Sequence, residues 1–244
     1  GDFPHIIVST RKLRERLSLD TTTQQLTVSA GYTIGEIHAF AQSYGLEYRV
    51  DLASRDSATI GGTIATNAGG IRVVAHGMTR AHVRGIEMIL SDGHVIDHLE
   101  DLIKDNTGPD IASLAIGSEG TLGIITAATM KMVPLPAACL TAWAQVPSLD
   151  DAVRLLALAH RQLGASLTGF EVMNRFSVEL VARHFTQLRI PPIDGSPWFV
   201  LLENSDSESE VHARERFEGL LESAVDAGCV SDAVVAESIA QARE

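Results

Sequence analysis

The 244-residue chain has only two cysteines, Cys139 and Cys229, far apart in sequence. No CxxC pair exists, so a structural zinc ribbon and a thioredoxin-like motif are excluded and both thiols read as reduced. No uninterrupted apolar run nears the roughly 18 residues that span a bilayer. The opening GDFPHIIVSTRKLRERL lacks the apolar stretch and small-residue cleavage site of a signal peptide, so a cytoplasmic protein is the default expectation. Positive charge is also short. The net charge of −12 has no basic stripe to release counterions, which argues against a nucleic-acid partner. Most of the negative charge lies beyond residue 194, where it reads as a solvated helix face. With 45% hydrophobic and 5% aromatic residues the composition is globular, neither disordered, collagenous nor disulfide-stapled. The length allows one large domain or two ordinary ones, either with a core that needs no metal or disulfide to hold it.

Catalytic motifs are missing as well. There is no G-x-S-x-G elbow and no cysteine–histidine pair with an orienting group, so a hydrolase has no support. His94 and His98 stand four apart, a spacing that binds metal on a helix, but here they fall on a hairpin strand where four residues span about 13 Å. No metal site is expected. Acidic pairs such as Asp150-Asp151 sit at a helix start, where the macrodipole explains them.

What the chain does have is glycine, and it is concentrated: 11 of the 20 glycines fall between residues 61 and 123. Around them the pattern is mixed. HIIVSTRKL (5–13) and QQLTVSAGYT (24–33) read as strands. Thr33-Ile34-Gly35-Glu36 has the form of a capping box before an amphipathic helix that ends at Gly45. LASRDSATIGGTIATNAGG (52–70) reads as a folded loop or a tight helical turn. VRGIEMILSDGHVIDHL (83–99) predicts a hairpin about Asp92-Gly93, and TLGIITAATMKMV (121–133) a further strand. Pro134-Leu135-Pro136 is expected to end that pairing and mark a domain boundary, giving domains 1–135 and 136–244. Beyond it come strand 140–146, helix 149–163 between Ser148 and Gly164, strand 169–173, helix 174–185, strand 198–204, an acidic helix 208–227 and strand 229–237. That order is ferredoxin-like with one extra helix, so the fold class is α+β. The final SIAQARE reads as the start of another helix.

Two glycine blocks could carry chemistry. Thr59-Ile60-Gly61-Gly62-Thr63-Ile64-Ala65-Thr66-Asn67-Ala68-Gly69-Gly70 has two Gly-Gly pairs with small side chains between them. Backbone lacking Cβ atoms can approach phosphate oxygens closely, with Thr and Asn adding donors; a packed turn that binds nothing is the alternative. Gly117-Ser118-Glu119-Gly120-Thr121-Leu122-Gly123 follows neither the Rossmann nor the P-loop spacing, and on pattern alone it reads as turns before a strand.

Together, SRDSATIGGTIATNAGG (54–70), HGMTRAHVRGIEMILSDGHVI (76–96), KDNTGPDI (104–111) and GSEGTLGIIT (117–126) resemble the FAD-linked oxidases of the vanillyl-alcohol-oxidase (PCMH-type) superfamily. The D-lactate, glycolate and D-2-hydroxyglutarate dehydrogenases are the most similar group, and KDNTG, GFEVMN and SPWFVLLENS favour the last of these. The resemblance covers essentially the whole chain. It implies the second subdomain of a PCMH-type FAD-binding domain followed by the ferredoxin-like core of a substrate cap. It implies FAD as cofactor, with Ser57, Ile60, Gly61, Gly62, Ala65, Thr66, Asn67 and Gly70 along one wall and Glu119, Gly120, Gly123 and Ile125 along the other. The implied reaction is oxidation of a D-2-hydroxy acid to the 2-oxo acid by hydride transfer to flavin N5; another FAD-linked alcohol oxidase or a non-catalytic truncated module are the alternatives. A small 2-hydroxy acid is then the substrate, the electron acceptor stays open, and a homodimer is compatible with the sequence.

The chain departs from the family pattern at Pro109, where Tyr is usual, and at His76, Ala115 and Thr63. Proline removes a ring and fixes φ, so packing about 105–111 is expected to differ. The family's first FAD subdomain is expected to precede residue 1 and the histidine-containing motifs of the cap to follow residue 244. No catalytic residue is therefore assigned, and the chain alone is expected to bind FAD weakly or not at all.

Overall fold

A computed structural model describes residues 6–236, apart from 100, 101, 103, 105, 106, 192 and 194. The chain divides into two units, one of residues 1–70 and 76–135, the other of 71–75 and 136–244.

The first unit contains β1 (Leu17–Asp20), β2 (Gln25–Ser29), α1 (Ile34–Gln42), β3 (Leu46–Glu47) and α2 (Ile60–Ala65). The short helix α3 (Val73–His76) follows and straddles the two units. Then come β4 (Val83–Ile89), β5 (Val95–His98), α4 (Ile111–Ala115), β6 (Ile124–Lys131) and β7 (Val133–Pro134). Five antiparallel strands form a sheet in the order β1-β2-β6-β4-β5. Leu26 and Val28 of β2 alternate inward, as a strand with one buried face requires, and meet Ile34, Ile37 and Ala41 of α1, Ile60 and Ile64 of α2, and Ile86 and Met130. The capping box forms in full: the Glu36 N–H donates to Thr33 Oγ1, and the Thr33 N–H donates to the Glu36 carboxylate.

Helix α2 forms against the propensity of its sequence. Two glycines each cost about 1 kcal/mol relative to alanine in a helix. Thr59 caps the N-terminus, and Ile60 and Ile64, four apart and so on one face, are fully buried, which offsets that cost. Buried Thr63 donates its hydroxyl to the Ile60 carbonyl at 2.9 Å, so the hydroxyl is satisfied in the core.

Two expectations are corrected. Residues 6–13 form no strand; Ile6 and Ile7 are 89% and 94% exposed, and without a partner β-branched residues alone do not make a strand. The strand instead begins at Leu17, which pairs with Val28. Pro134 does not stop pairing but lies in β7 opposite Leu46, at a two-stranded edge that tolerates a missing N–H. The helix expected in SIAQARE and part of KDNTG lie outside the described residues. Asp110, just after Pro109, caps α4 by accepting from the Ser113 N–H.

The second unit contains β8 (Ala138–Val146), α5 (Leu149–Leu163), β9 (Leu167–Asn174), α6 (Arg175–His184), β10 (Trp198–Asp206), α7 (Glu210–Asp226) and β11 (Asp232–Val235). Its antiparallel sheet has the order β11-β8-β10-β9, with the β-α-β-(α)-β-α-β connection of a ferredoxin-like unit. Helix α5 starts at the Ser148 cap and ends at Gly164, whose φ of 58° suits glycine. Leu155, Ala159, Phe217 and Leu220 of α5 and α7 pack on Leu140, Ala144, Val200 and Leu202 of the sheet. Among the described residues no helix is long and apolar enough to cross a membrane.

Candidate functional site

The two glycine blocks, about 50 residues apart in sequence, meet in the first unit. The Gly117 N–H donates to the Ile64 carbonyl at 3.0 Å, and the Glu119 N–H donates to the Ala65 carbonyl at 2.8 Å. The last carbonyls of α2 are thereby satisfied by the second block, a C-cap made from a distant segment. Asn67 and Glu119 both lie in the left-handed region, with φ of 48° and 52°, a conformation uncommon for residues other than glycine. Arg80 secures the junction. Its backbone N–H donates to Asn67 Oδ1, and its guanidinium donates to the carbonyls of Ser113 and Ile116 at 2.7 and 2.5 Å. Arg80 and Met78, whose sulfur accepts from Asn67 Nδ2, lie within the 76–96 segment of the resemblance, but neither is among the site residues that it implied. A single arginine outside a glycine block gives no local signal of this role.

The structure divides the motif residues into two kinds. Ile60 and Ile125 are core side chains. The Ile60 and Gly61 N–H groups are taken by the carbonyls of Tyr32 and Ala30, and Gly62 donates weakly to Thr59 Oγ1, so the first Gly-Gly pair does not present free donors at the start of α2. Packing accounts for three of the glycines. A Cβ at Gly61 would meet Ala30 Cβ at 2.6 Å, one at Gly70 would sit 1.6 Å from the Asp51 carbonyl oxygen, and one at Gly123 would sit 2.6 Å from that of Ile89.

The other residues face outward. Gly62, Thr66, Glu119 and Gly120 are exposed, and Ala65 and Asn67 half-buried. A Cβ at Gly120 would meet nothing within 4 Å, and one at Gly62 only Thr59 Oγ1. The outcome is a stretch of exposed backbone and small side chains where the two blocks meet, and Met78, Leu114, Leu122 and Ile124 of the same unit are exposed apolar side chains. Ser57 lines a pocket of about 520 Å³ whose lining includes Arg11, Arg14, Thr33, Glu36, Asp56 and Thr59. There Arg14 stacks over Tyr32 at 4.2 Å and donates both its Nη groups to Glu36. Those hydrogen bonds, with the Thr33 N–H, hold the Glu36 carboxyl down at about 2, so the pair stays ionised.

The profile for an FAD binding domain matches residues 2–98, and that for the C-terminal domain of FAD linked oxidases matches residues 135–244. The chain belongs to the FAD-linked oxidases. It is 35% identical over 234 residues to the mitochondrial D-2-hydroxyglutarate dehydrogenase of Rattus norvegicus, covering 96% of this chain and 43% of that protein. It is 36% identical over 241 residues to the D-2-hydroxyglutarate dehydrogenase of Xanthomonas citri pv. viticola, covering 98% and 49%. The chain thus spans under half the length of these relatives. In fold it resembles an alkyldihydroxyacetonephosphate synthase, with a TM-score of 0.71 at 18% identity over 96% of this chain and 44% of that one.

The cofactor of this family fits what the first unit offers. At Gly62 and Gly120 the absence of a side chain lets a large planar group approach the backbone closely, and exposed apolar side chains in the same unit suit a ring system. Gly62, Ala65, Thr66, Asn67, Glu119 and Gly120 are the residues of this unit that could hold FAD, while Gly61, Gly70 and Gly123 lie where a Cβ would meet Ala30, Asp51 and Ile89.

Buried His82 packs edge-on against the Tyr48 ring with centroids 5.8 Å apart. Burial, partly offset by the His76 backbone and reinforced by Lys131, Arg49 and Arg84, pushes its pKa below 6.5. The folded state thus takes up a proton less readily than the unfolded state. Stability should be flat above about pH 6.5 and fall as the pH drops through the interval between the unfolded and folded values. Melting temperatures from pH 7.5 to 5.0 should show this decline in the wild type and lose it in His82→Phe. An equal decline in the variant would assign the effect to other groups.

Proposed function

We propose that the full-length protein is an FAD-dependent dehydrogenase of D-2-hydroxy acids, with D-2-hydroxyglutarate the leading substrate. The observation that carries this reading is the 34–36% identity, extending over nearly the whole chain, to several proteins named as D-2-hydroxyglutarate dehydrogenases. The junction of the two glycine blocks supports it, because backbone hydrogen bonds bring the two motif segments to one place in the first unit.

Bound FAD supplies a hydride acceptor at N5 for the hydrogen on C2 of the hydroxy acid. The residues of this chain do the holding. Gly62 and Gly120 keep bulk away from the cofactor surface, and Thr66, whose hydroxyl donates to the Gly62 carbonyl at 2.9 Å, adds a small polar edge. Asn67 and Glu119 turn the backbone at the two ends of the junction, and Arg80 prevents the turn at 113–117 from swinging away.

The test is anaerobic mixing of the flavin-loaded full-length protein with D-2-hydroxyglutarate, D-lactate and their L enantiomers, followed by visible absorbance. Bleaching of the flavin band by a D-2-hydroxy acid, fastest with D-2-hydroxyglutarate, and at least 100-fold slower with the L enantiomer is the expected result. Bleaching by primary or aromatic alcohols and not by hydroxy acids would replace this reading with another alcohol oxidation, and a purified protein that takes up no flavin would end it.

A further inference from the structure

Residues 71–75 directly follow the second Gly-Gly pair, yet they belong to the second unit. Arg72 ties them there. Its Nε and Nη2 donate to Glu203 Oε1 and Oε2 at 2.8 and 3.0 Å, a bidentate fork in which the side chains are only 18% and 11% exposed. Glu203 lies in the middle of β10 opposite Gly169 of β9, beside a register shift between Glu203 and Asn204. Thr168, at that shift, donates its hydroxyl to Glu203 Oε1 at 2.7 Å and also hydrogen-bonds Ser205 Oγ at 2.9 Å. Gly169 leaves the room for this arrangement. A Cβ there would lie 2.9 Å from Glu203 Cβ and 3.3 Å from Ile71 Cγ1.

β10 is apolar from Trp198 to Leu202, and Glu203 is the first charged residue along it. Burial by itself would raise the Glu203 pKa, but the Arg72 guanidinium and the Thr168 hydroxyl outweigh it and hold the carboxyl below its ordinary value. The pair is therefore charged, bidentate and shielded. Removing either member takes a bidentate, charge-assisted pair out of a poorly solvated place, which is more disruptive than losing a surface ion pair.

We infer that Arg72, Glu203 and Thr168 form a latch that fastens the 71–75 strap to the sheet of the second unit and, through the peptide bond from Gly70 to Ile71, restrains the downstream end of the glycine segment 59–70. These are positioning residues; none needs to touch substrate. The effect on cofactor retention rests on the flavin reading above, whereas the latch itself does not.

The experiment is hydrogen–deuterium exchange by mass spectrometry on the full-length protein, with and without FAD, for R72M, R72K, E203Q and T168V. In the absence of FAD, amides in peptides covering 68–76 should exchange at least tenfold faster in R72M and E203Q and a few-fold faster in T168V, with R72K between R72M and wild type. Peptides from α5 and α7 should keep their rates, which a general loosening of the fold would not allow. FAD dissociation should accelerate in the same order. Strap exchange unchanged in all four variants overturns the latch. A loosened strap with unchanged FAD dissociation upholds the latch and overturns its hold on the glycine segment. A wild-type protein that binds no FAD overturns the flavin reading, while the exchange without FAD still decides the latch. Should R72M or E203Q fail to fold, T168V and R72K decide it, since neither leaves a buried charge without a counter-charge.

Discussion

Gly70→Ala should lower the melting temperature of the flavin-free protein by about 10 °C or more, whereas Gly62→Ala, in the same twelve-residue block, should leave it nearly unchanged. The added Cβ at position 70 would sit 1.6 Å from the Asp51 carbonyl oxygen and 2.7 Å from its carbon. Backbone, not a flexible side-chain end, has to move, so the cost falls at or above the upper end of the roughly 1–3 kcal/mol typical of overpacking. For a unit of this size that converts to several degrees per kcal/mol. At position 62 the Cβ would meet only Thr59 Oγ1 at 3.3 Å, and alanine regains about 0.5–1 kcal/mol of helix propensity over glycine. FAD affinity should separate from stability. Gly62→Ala should weaken FAD binding at least tenfold in the full-length protein while the flavin-free protein melts normally, because its methyl protrudes from the exposed stretch. Scanning calorimetry and flavin fluorescence titration measure the two effects. Normal FAD affinity in Gly62→Ala would remove this stretch as the cofactor wall, and a wild-type melting temperature in Gly70→Ala would show that the Asp51 contact does not hold the unit together.

Phe217→Ala should destabilise the second unit by about 3–5 kcal/mol, the cost of truncating a fully buried aromatic ring. Phe217 is 0% exposed in a cluster with Leu140, Leu155, Val200, Leu202 and Leu220, and that cluster shares no residue with the one containing Leu26, Ile60 and Met130. Amide exchange should therefore rise across β8 and β10 and stay unchanged in β2 and β6. This is also the test of whether residues 1–135 and 136–244 act as separate domains. A uniform rise in both sheets would mean that they unfold as one.

The elements carried by local chemistry could be read from the residues. The capping box of Thr33 and Glu36, the Asp92-Gly93 hairpin turn, and the Ser148 and Gly164 boundaries of α5 each depend on groups within four residues of one another or on a glycine's access to positive φ, and each appears in the structure. So does the ferredoxin-like order, because alternating strand and helix periods leave few ways to connect four antiparallel strands. The strand expected at 5–13 shows the limit of this reasoning. Its β-branched residues satisfy the propensity, but strand formation requires a neighbour, and the pairing with β2 goes to Leu17–Asp20 instead.

The candidate site divides along the same line. The residues alone located both glycine blocks, and their combined motifs led to the FAD-linked oxidases. They could not show that Gly61, Gly70 and Gly123 lack a side chain to admit other parts of the protein, while Gly62 and Gly120 leave an open surface. What each missing Cβ would meet depends on what the rest of the chain brings close to it. Nor could they show that the Ile64 and Ala65 carbonyls meet the N–H groups of Gly117 and Glu119, or that Arg72 meets Glu203 from 131 residues away. The sequence by itself determined the α+β class, the local elements and the flavin family, because those rest on contacts between near neighbours and on motif chemistry. Tertiary structure alone decided which motif residues pack and which face outward, because hydrogen bonds and steric fits between distant segments exist only once the backbone has placed them side by side.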